Sequence, residues 1–229
     1  MNKLTALALA ATAVLACAGT HAAPVSLLVN GSFETLPAAL GNGQWTVLPS
    51  LAGWTVDPGS GVEVRSNVVG TAQDGAVFIE LDTNAGTFGG SSFDSSTNSW
   101  ISQSVATLAG EHYTLSWYYA PRAGEAADTN PIDVLWNGVK LTKSNGSGMG
   151  QNGNVWQQYS FEVVGTGGLD ALTFAATGKA DSVGGSLDNV SLVAVGAAAA
   201  AAVVPEPATA GLVLAALAGL GFTRRRRSA

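Results

Sequence analysis

The sequence predicts an all-β domain, a β-sandwich or jelly roll, between two atypical ends. Three observations predict it: short runs of period-two hydrophobic alternation, Gly-, Asn-, Asp- and Pro-rich breaks between them, and no amphipathic helical run of useful length across the body. About nine or ten strands in roughly 170 residues suit a two-layer sandwich.

In chain order the candidates are QWTVL (44–48), GVEVRS (61–66), AVFIELD (76–82), WISQSVA (100–106) and HYTLSWYYA (112–120). They continue with IDVLWNGVKL (132–141), VWQQYSFEVV (155–164), ALTFAAT (171–177) and SLDNVSLVAV (186–195). Asn137-Gly138 splits its run into two arms, and Asn-Gly tolerates the positive φ of a two-residue hairpin turn. Successive side chains of a strand point to opposite faces, so the alternation sorts them. Tyr113, Leu115, Trp117 and Tyr119 face the core, and Thr114, Ser116 and Tyr118 face away. Val155, Tyr159, Phe161 and Val163 face in, and Trp156, Gln158, Ser160 and Glu162 face out. Val77, Ile79 and Leu81 face in, and Phe78, Glu80 and Asp82 face out.

The N-terminal stretch MNKLTALALAATAVLACAGTHAAP has one Lys, a short apolar run and small residues around Ala22. It reads as a secretory signal peptide over residues 1–22, its apolar run being shorter than the ~20 residues a membrane span needs. VLAC, ending at Cys17, is also compatible with a lipoprotein box. Cys17 is the only cysteine, so the mature body forms no disulfide, uses no thiolate and holds no Cys-ligated metal. Residues 23–204 keep five cations (Arg65, Arg122, Lys140, Lys143, Lys179) against 15 acids, a net charge near −10. So acidic a body argues against nucleic acid and suits an exported protein or one that binds a cation.

The sequence closes on VVPEPATAGLVLAALAGLGFTRRRRSA. The apolar run 208–223 has 16 residues and spans only ~24 Å as a helix, marginal for a bilayer core of ~30 Å. Pro205-Glu206-Pro207, that run and the cluster Arg224, Arg225, Arg226, Arg227 together resemble the PEP-CTERM sorting signal, assigned to 205–229. The resemblance implies export through the inner membrane of an exopolysaccharide-making Gram-negative bacterium. It further implies processing near the triplet by an exosortase-type membrane transpeptidase, with the helix as a transient membrane hold. The end point is the cell surface or extracellular matrix. A permanent tail anchor is the alternative. GAAAAAAVV (196–204) reads as a spacer between the 23–195 domain and this signal.

NGSFE (30–34), LAGWTVDPGSGVEV (51–64) and LDNVSLVAV (187–195) make the body similar to galactose-binding-like jelly rolls, which include many carbohydrate-binding modules. That resemblance implies a structural Ca2+ held by Glu34 and Asp188. The alternative is that both acids make local hydrogen bonds. Sugars stack on aromatic rings and bond to planar polar groups, which makes Tyr118, Trp156, Gln158 and Arg122 a candidate glycan surface, with Trp100 and Phe93 as further aromatics. An aromatic in a β-sandwich is more often part of the core.

Catalysis has little to stand on. Only His21 and His112 exist, and His112 opens a strand as a surface residue would. No spacing singles out a carboxylate pair for glycoside hydrolysis. The expectation is therefore a non-catalytic, exported, glycan-associated surface or matrix protein. A matrix protein without sugar binding and a small glycan hydrolase are the alternatives.

Overall fold

The computed structural model describes residues 25–57, 60–83 and 97–196. The leader, the spacer, the sorting segment and Phe93 lie outside the described residues. Eleven strands and no helix are found among them. They are β1 (Gln44–Leu48), β2 (Thr55–Val56), β3 (Val62–Ser66), β4 (Phe78–Glu80), β5 (Trp100–Ala106) and β6 (His112–Ala120), then β7 (Ile132–Trp136), β8 (Val139–Ser144), β9 (Gln157–Val164), β10 (Leu169–Ala176) and β11 (Ser186–Ala194). A six-stranded sheet runs β1-β3-β4-β11-β6-β9 and a five-stranded sheet runs β2-β5-β10-β7-β8, every pairing antiparallel. This is the expected all-β jelly-roll sandwich.

The inward rows of both sheets form one core. Trp117 of β6 stacks on Tyr159 and Phe161 of β9 at 5.4 and 5.7 Å and meets Phe174 of β10 edge-on at 5.7 Å. The inward set read for β6 is buried throughout. Asn137 and Gly138 adopt φ of 51° and 75°, the mirror-image turn that matches strand twist, and join β7 to β8.

NGSFE and the Gly-Trp stretch turn out to be one packing unit. Asn30 donates to the carbonyls of Thr35 and Ala52, while the Trp54 indole N–H donates to Asn30 O. Phe33, fully buried, lies 5.7 Å from the Trp54 ring. Gly31 is required because a Cβ there would meet Val190 O at 1.9 Å, where β11 carries a bulge between Asp188 and Ser191.

Three expectations change. β2 arises inside the stretch 51–64 and was not among the predicted strands. β9 starts only at Gln157, so the alternation does not extend to Val155, which is 58% exposed rather than inward. Phe78, Glu80 and Asp82 do not reach solvent; all three are buried. Their face is roofed by other chain segments, which alternation cannot show.

Candidate functional site

The register assigns one outer row of the six-stranded sheet. Trp45 pairs with Arg65, and Arg65 with Phe78; farther along, Asp188 pairs with Tyr118, and Tyr118 with Gln158. A neighbouring row carries Glu63, Glu80, Ser186 and Ala120. Paired residues share a face, so these side chains cluster on one side. The sequence locally explains the β3 end: Val62 and Val64 occupy the core, which sends Glu63 and Arg65 outward.

Four charged side chains meet there. Arg65 Nε donates to Glu63 Oε1 at 2.6 Å, and Arg65 Nη2 lies 3.1 Å from Glu80 Oε2. Arg122, from the loop after β6, brings Nη1 to 2.5 Å from the same Oε2. Glu80 Oε1 accepts the backbone N–H of Gly184 at 2.9 Å. Burial pushes the Glu80 carboxyl up to about 7; Arg65 and Arg122 pull the other way, and Glu63 adds to the rise. Arg65 is almost wholly buried, yet its Nη1 has no hydrogen-bond partner. Beside these groups opens a cavity of about 190 Å3 lined by Trp45, Glu63, Arg65, Val68, Arg122 and Ser182. Trp45 is 44% exposed.

The four expected glycan residues share this face but not one spot. Arg122 lines the cavity and is tied to Glu80. Tyr118 is half-buried and Gln158, its cross-strand neighbour, is exposed. Trp156 precedes β9, packs its ring edge-to-face against Phe78 at 5.8 Å and donates its indole N–H to Thr71 O at 3.0 Å. It therefore serves as part of the roof over Phe78. Trp45, Arg65 and Glu63 were not among the predicted site residues. The alternation of VEVR was a usable signal for the charged pair, but the convergence with Glu80 and Arg122 is set by long-range pairing.

Glu34 and Asp188 converge on one loop. Glu34 Oε1 accepts the N–H groups of Ala76 and Val77 at 2.8 and 2.9 Å. Asp188 accepts those of Gln73, Asp74 and Asn189 at 2.7, 3.0 and 2.7 Å. Burial raises the Asp188 carboxyl to about 7 despite these donors, with Asp74 adding to the rise. Hard carboxylate oxygens on one loop fit Ca2+ in kind. In number they fall short, since no group of three Asp, Glu, His or Cys side chains suited to a metal occurs among the described residues. Backbone carbonyls or water would have to complete a shell.

Both Glu80 oxygens are engaged by Arg65, Arg122 and Gly184. His112 lies elsewhere, exposed, with Nδ1 2.6 Å from Glu162 Oε1.

The model of the PEP-CTERM protein-sorting motif matches residues 203–227. The sequence matches no curated protein at a significant level. Among solved structures, the chain is similar to a family 35 carbohydrate-binding module from Paenibacillus barcinonensis, with 18% identity, 67% of this chain and 100% of that chain covered, and a TM-score of 0.39. It is similar to a family 16 carbohydrate-binding module at 16% identity, covering 73% of this chain and 99% of that one, with a TM-score of 0.46. It is also similar to the module TmCBM61, solved with β-1,4-galactotriose, at 18% identity, 74% and 99% coverage, and a TM-score of 0.44.

Proposed function

We propose that the protein is exported, sorted by its PEP-CTERM motif, and associates with carbohydrate at the cell surface or in the extracellular matrix without catalysing a reaction. The sorting motif implies export and exosortase-type processing. The carbohydrate reading is carried by one observation: an exposed indole, Trp45, at the mouth of a cavity walled by Arg65 and Arg122. An aromatic face for a sugar ring beside planar donors for its oxygens is the combination sugar recognition uses. Tyr118 and Gln158 extend the same face, with Trp156 at its roof.

Affinity electrophoresis through exopolysaccharide tests the reading. The wild-type protein is retarded and Trp45→Ala runs free. Equal mobility of both in every polysaccharide gel would leave a matrix protein that binds no sugar. For sorting, replacing Arg224–Arg227 by Ala abolishes retention and processing; a mature protein whose intact mass still includes the arginines overturns it.

A structural Ca2+ on Glu34 and Asp188 belongs to the same proposal. It is supported by their shared loop and by the cost of burying Asp188 charged. A ligand bound only by the folded state raises its stability by mass action, so a chelator lowers the melting temperature. A superimposable melting curve means that backbone amides alone hold the loop.

A further inference from the structure

We infer that Asn145, in the loop after β8, is a self-modification site. The Gly146 backbone nitrogen closes on its side-chain amide, ammonia leaves, and water opens the ring to aspartate or isoaspartate.

An asparagine amide reacts with the next backbone nitrogen when three conditions meet. The side chain is not held elsewhere, the nitrogen is not engaged elsewhere, and the next residue puts no side chain in the way. The Asn-Gly pair occurs at 30–31, 42–43, 137–138, 145–146 and 152–153. Their surroundings separate them. Asn30 accepts the Thr35 N–H and donates to the Thr35 and Ala52 carbonyls. Asn137 accepts the Ala171 N–H and donates to Asp170. The Gly43 N–H is spent on Ser66 O at 2.8 Å. In each of these pairs either the amide or the attacking nitrogen is tied down.

Asn145 is exposed, and its Oδ1 accepts the Gly146 N–H at 2.9 Å. Cγ is the next atom beyond that oxygen, so the nitrogen already lies beside the carbon it attacks. Among the described residues, neither the Asn145 amide nor the Gly146 N–H has another hydrogen-bond partner. Asn152 is exposed as well, but no hydrogen bond among the described residues turns its side chain toward Gly153.

Gly146 is not required by the backbone. Gly43 and Gly138 have φ of 76° and 75°, whereas Gly146 is not among the residues with positive φ. A Cβ at Gly146 would meet nothing closer than Pro121 at 3.5 Å, an ordinary contact. What the missing side chain leaves open here is the path of attack.

The chemistry balances without an oxidant or reductant. Gly146 N gives its proton to hydroxide and bonds to Asn145 Cγ. Nδ2 takes up a proton and leaves as ammonia. The cyclic imide then adds one water. Opening at Cγ gives aspartate; opening at the backbone carbonyl gives isoaspartate, whose main chain runs through Cβ. Because the nitrogen must lose a proton, the rate rises with pH.

The loop is tied to the segment that carries Arg122. Asn130 Nδ2 donates to Gly146 O at 3.2 Å, while Asn130 Oδ1 accepts the Arg122 N–H at 2.8 Å. Isoaspartate inserts an extra main-chain carbon beside Gly146 and pulls this relay apart. Aspartate adds a charge but keeps the main-chain spacing. Arg122 lines the Trp45 cavity, so the isoaspartate form also binds sugar more weakly. That consequence rests on the carbohydrate reading above; the modification does not.

The test is incubation of the purified protein at 37 °C, at pH 6 and at pH 8. Trypsin digestion and fragmentation of the peptide 144–179, which contains both Asn145 and Asn152, then locate the change against an unincubated control. Asn145 converts to aspartate and isoaspartate before any other asparagine, and faster at pH 8. Gly146→Ala, which the space beside Pro121 accommodates, abolishes the conversion. Incubated wild-type protein melts at a lower temperature, whereas Asn145→Asp melts like fresh protein. An Asn145 still intact in the protein when the free peptide 144–179 has converted overturns the inference. So does earlier conversion at Asn152 or any other asparagine, or equal conversion in Gly146→Ala.

Discussion

Two buried carboxylates at different places in the sandwich have opposite fates. Glu80, on the outer row of the six-stranded sheet, is flanked by two guanidiniums, yet burial pushes it up to about 7. Asp170 has no cation within its set of hydrogen-bond partners and is held at about 2. Burial raises Asp170 too, but Thr107 Oγ1, the Thr166 N–H, Thr166 Oγ1 and Asn137 Nδ2 donate to it at 2.5, 2.9, 2.6 and 2.8 Å. At Glu80 the cost of full burial exceeds the pull of two cations, one of them shared with a second acid, whereas at Asp170 four aimed donors exceed the cost of burial. The Asp170 arrangement is saturated by four donors. The Glu80 arrangement shares Arg65 with Glu63 and leaves Arg65 Nη1 buried without a partner.

The largest expected effect breaks the Asp170 arrangement. Asp170→Ala strands Thr107, Thr166 and Asn137, and should cost about 3 kcal/mol in a denaturant titration. A loss below about 1 kcal/mol would show that the four bonds are worth no more than their hydration, and the contrast with Glu80 fails.

The next effect concerns pH. Glu80 has an ordinary value of 4.5 and a folded value of about 7, so the folded state holds its proton longer. Stability from this group is full below 4.5 and declines as pH rises toward 7. Asp188 acts in the same direction. Asp170 acts oppositely: its stabilisation is present above its ordinary value of 3.8 and is lost as pH falls toward 2. The protein should thus be most stable in mildly acidic solution. Glu80→Gln should reduce the loss between pH 5 and pH 8 by about 2 kcal/mol. An identical slope in variant and wild type would mean that the two arginines keep Glu80 ionised throughout.

The smallest effect sharpens the contrast. Thr107→Val removes one of four donors and should cost about 1 kcal/mol while moving Asp170 upward in an NMR titration. A titration midpoint that stays at about 2 would place the stabilisation in Thr166 and Asn137 alone.

The strands were largely legible because each carries its own alternation: WISQSVA and HYTLSWYYA match β5 and β6 end to end. The hairpin was legible because Asn137-Gly138 states its own backbone requirement. β2 was not, since two residues are too few for a period. The site was half legible. Tyr118 and Gln158 could be placed on an outward face from local sequence, with Arg122 close to Tyr118 in the chain. That Glu80 lies beneath Arg65 and Arg122 depends on which strands pair, and strand order across residues 63 to 122 has no local signature. Trp156 shows the same limit from the other side: it lies outside β9, so the register of β9 says nothing about the Phe78 ring beneath it.

The position of β11 carries a consequence in time rather than in space. This last strand made of the body does not sit at an edge; it lies between β4 and β6, and Leu27 N–H also donates to its Leu192 O at 2.8 Å. Until residues 186–194 are available, β4 and β6 face each other across a missing strand, and Leu27 N–H lacks its acceptor. Closure then joins chain parts more than 100 residues apart, a slow step for any polypeptide. The unfinished sheet meanwhile exposes two open edges, which makes this interval the one in which aggregation and proteolysis compete with maturation.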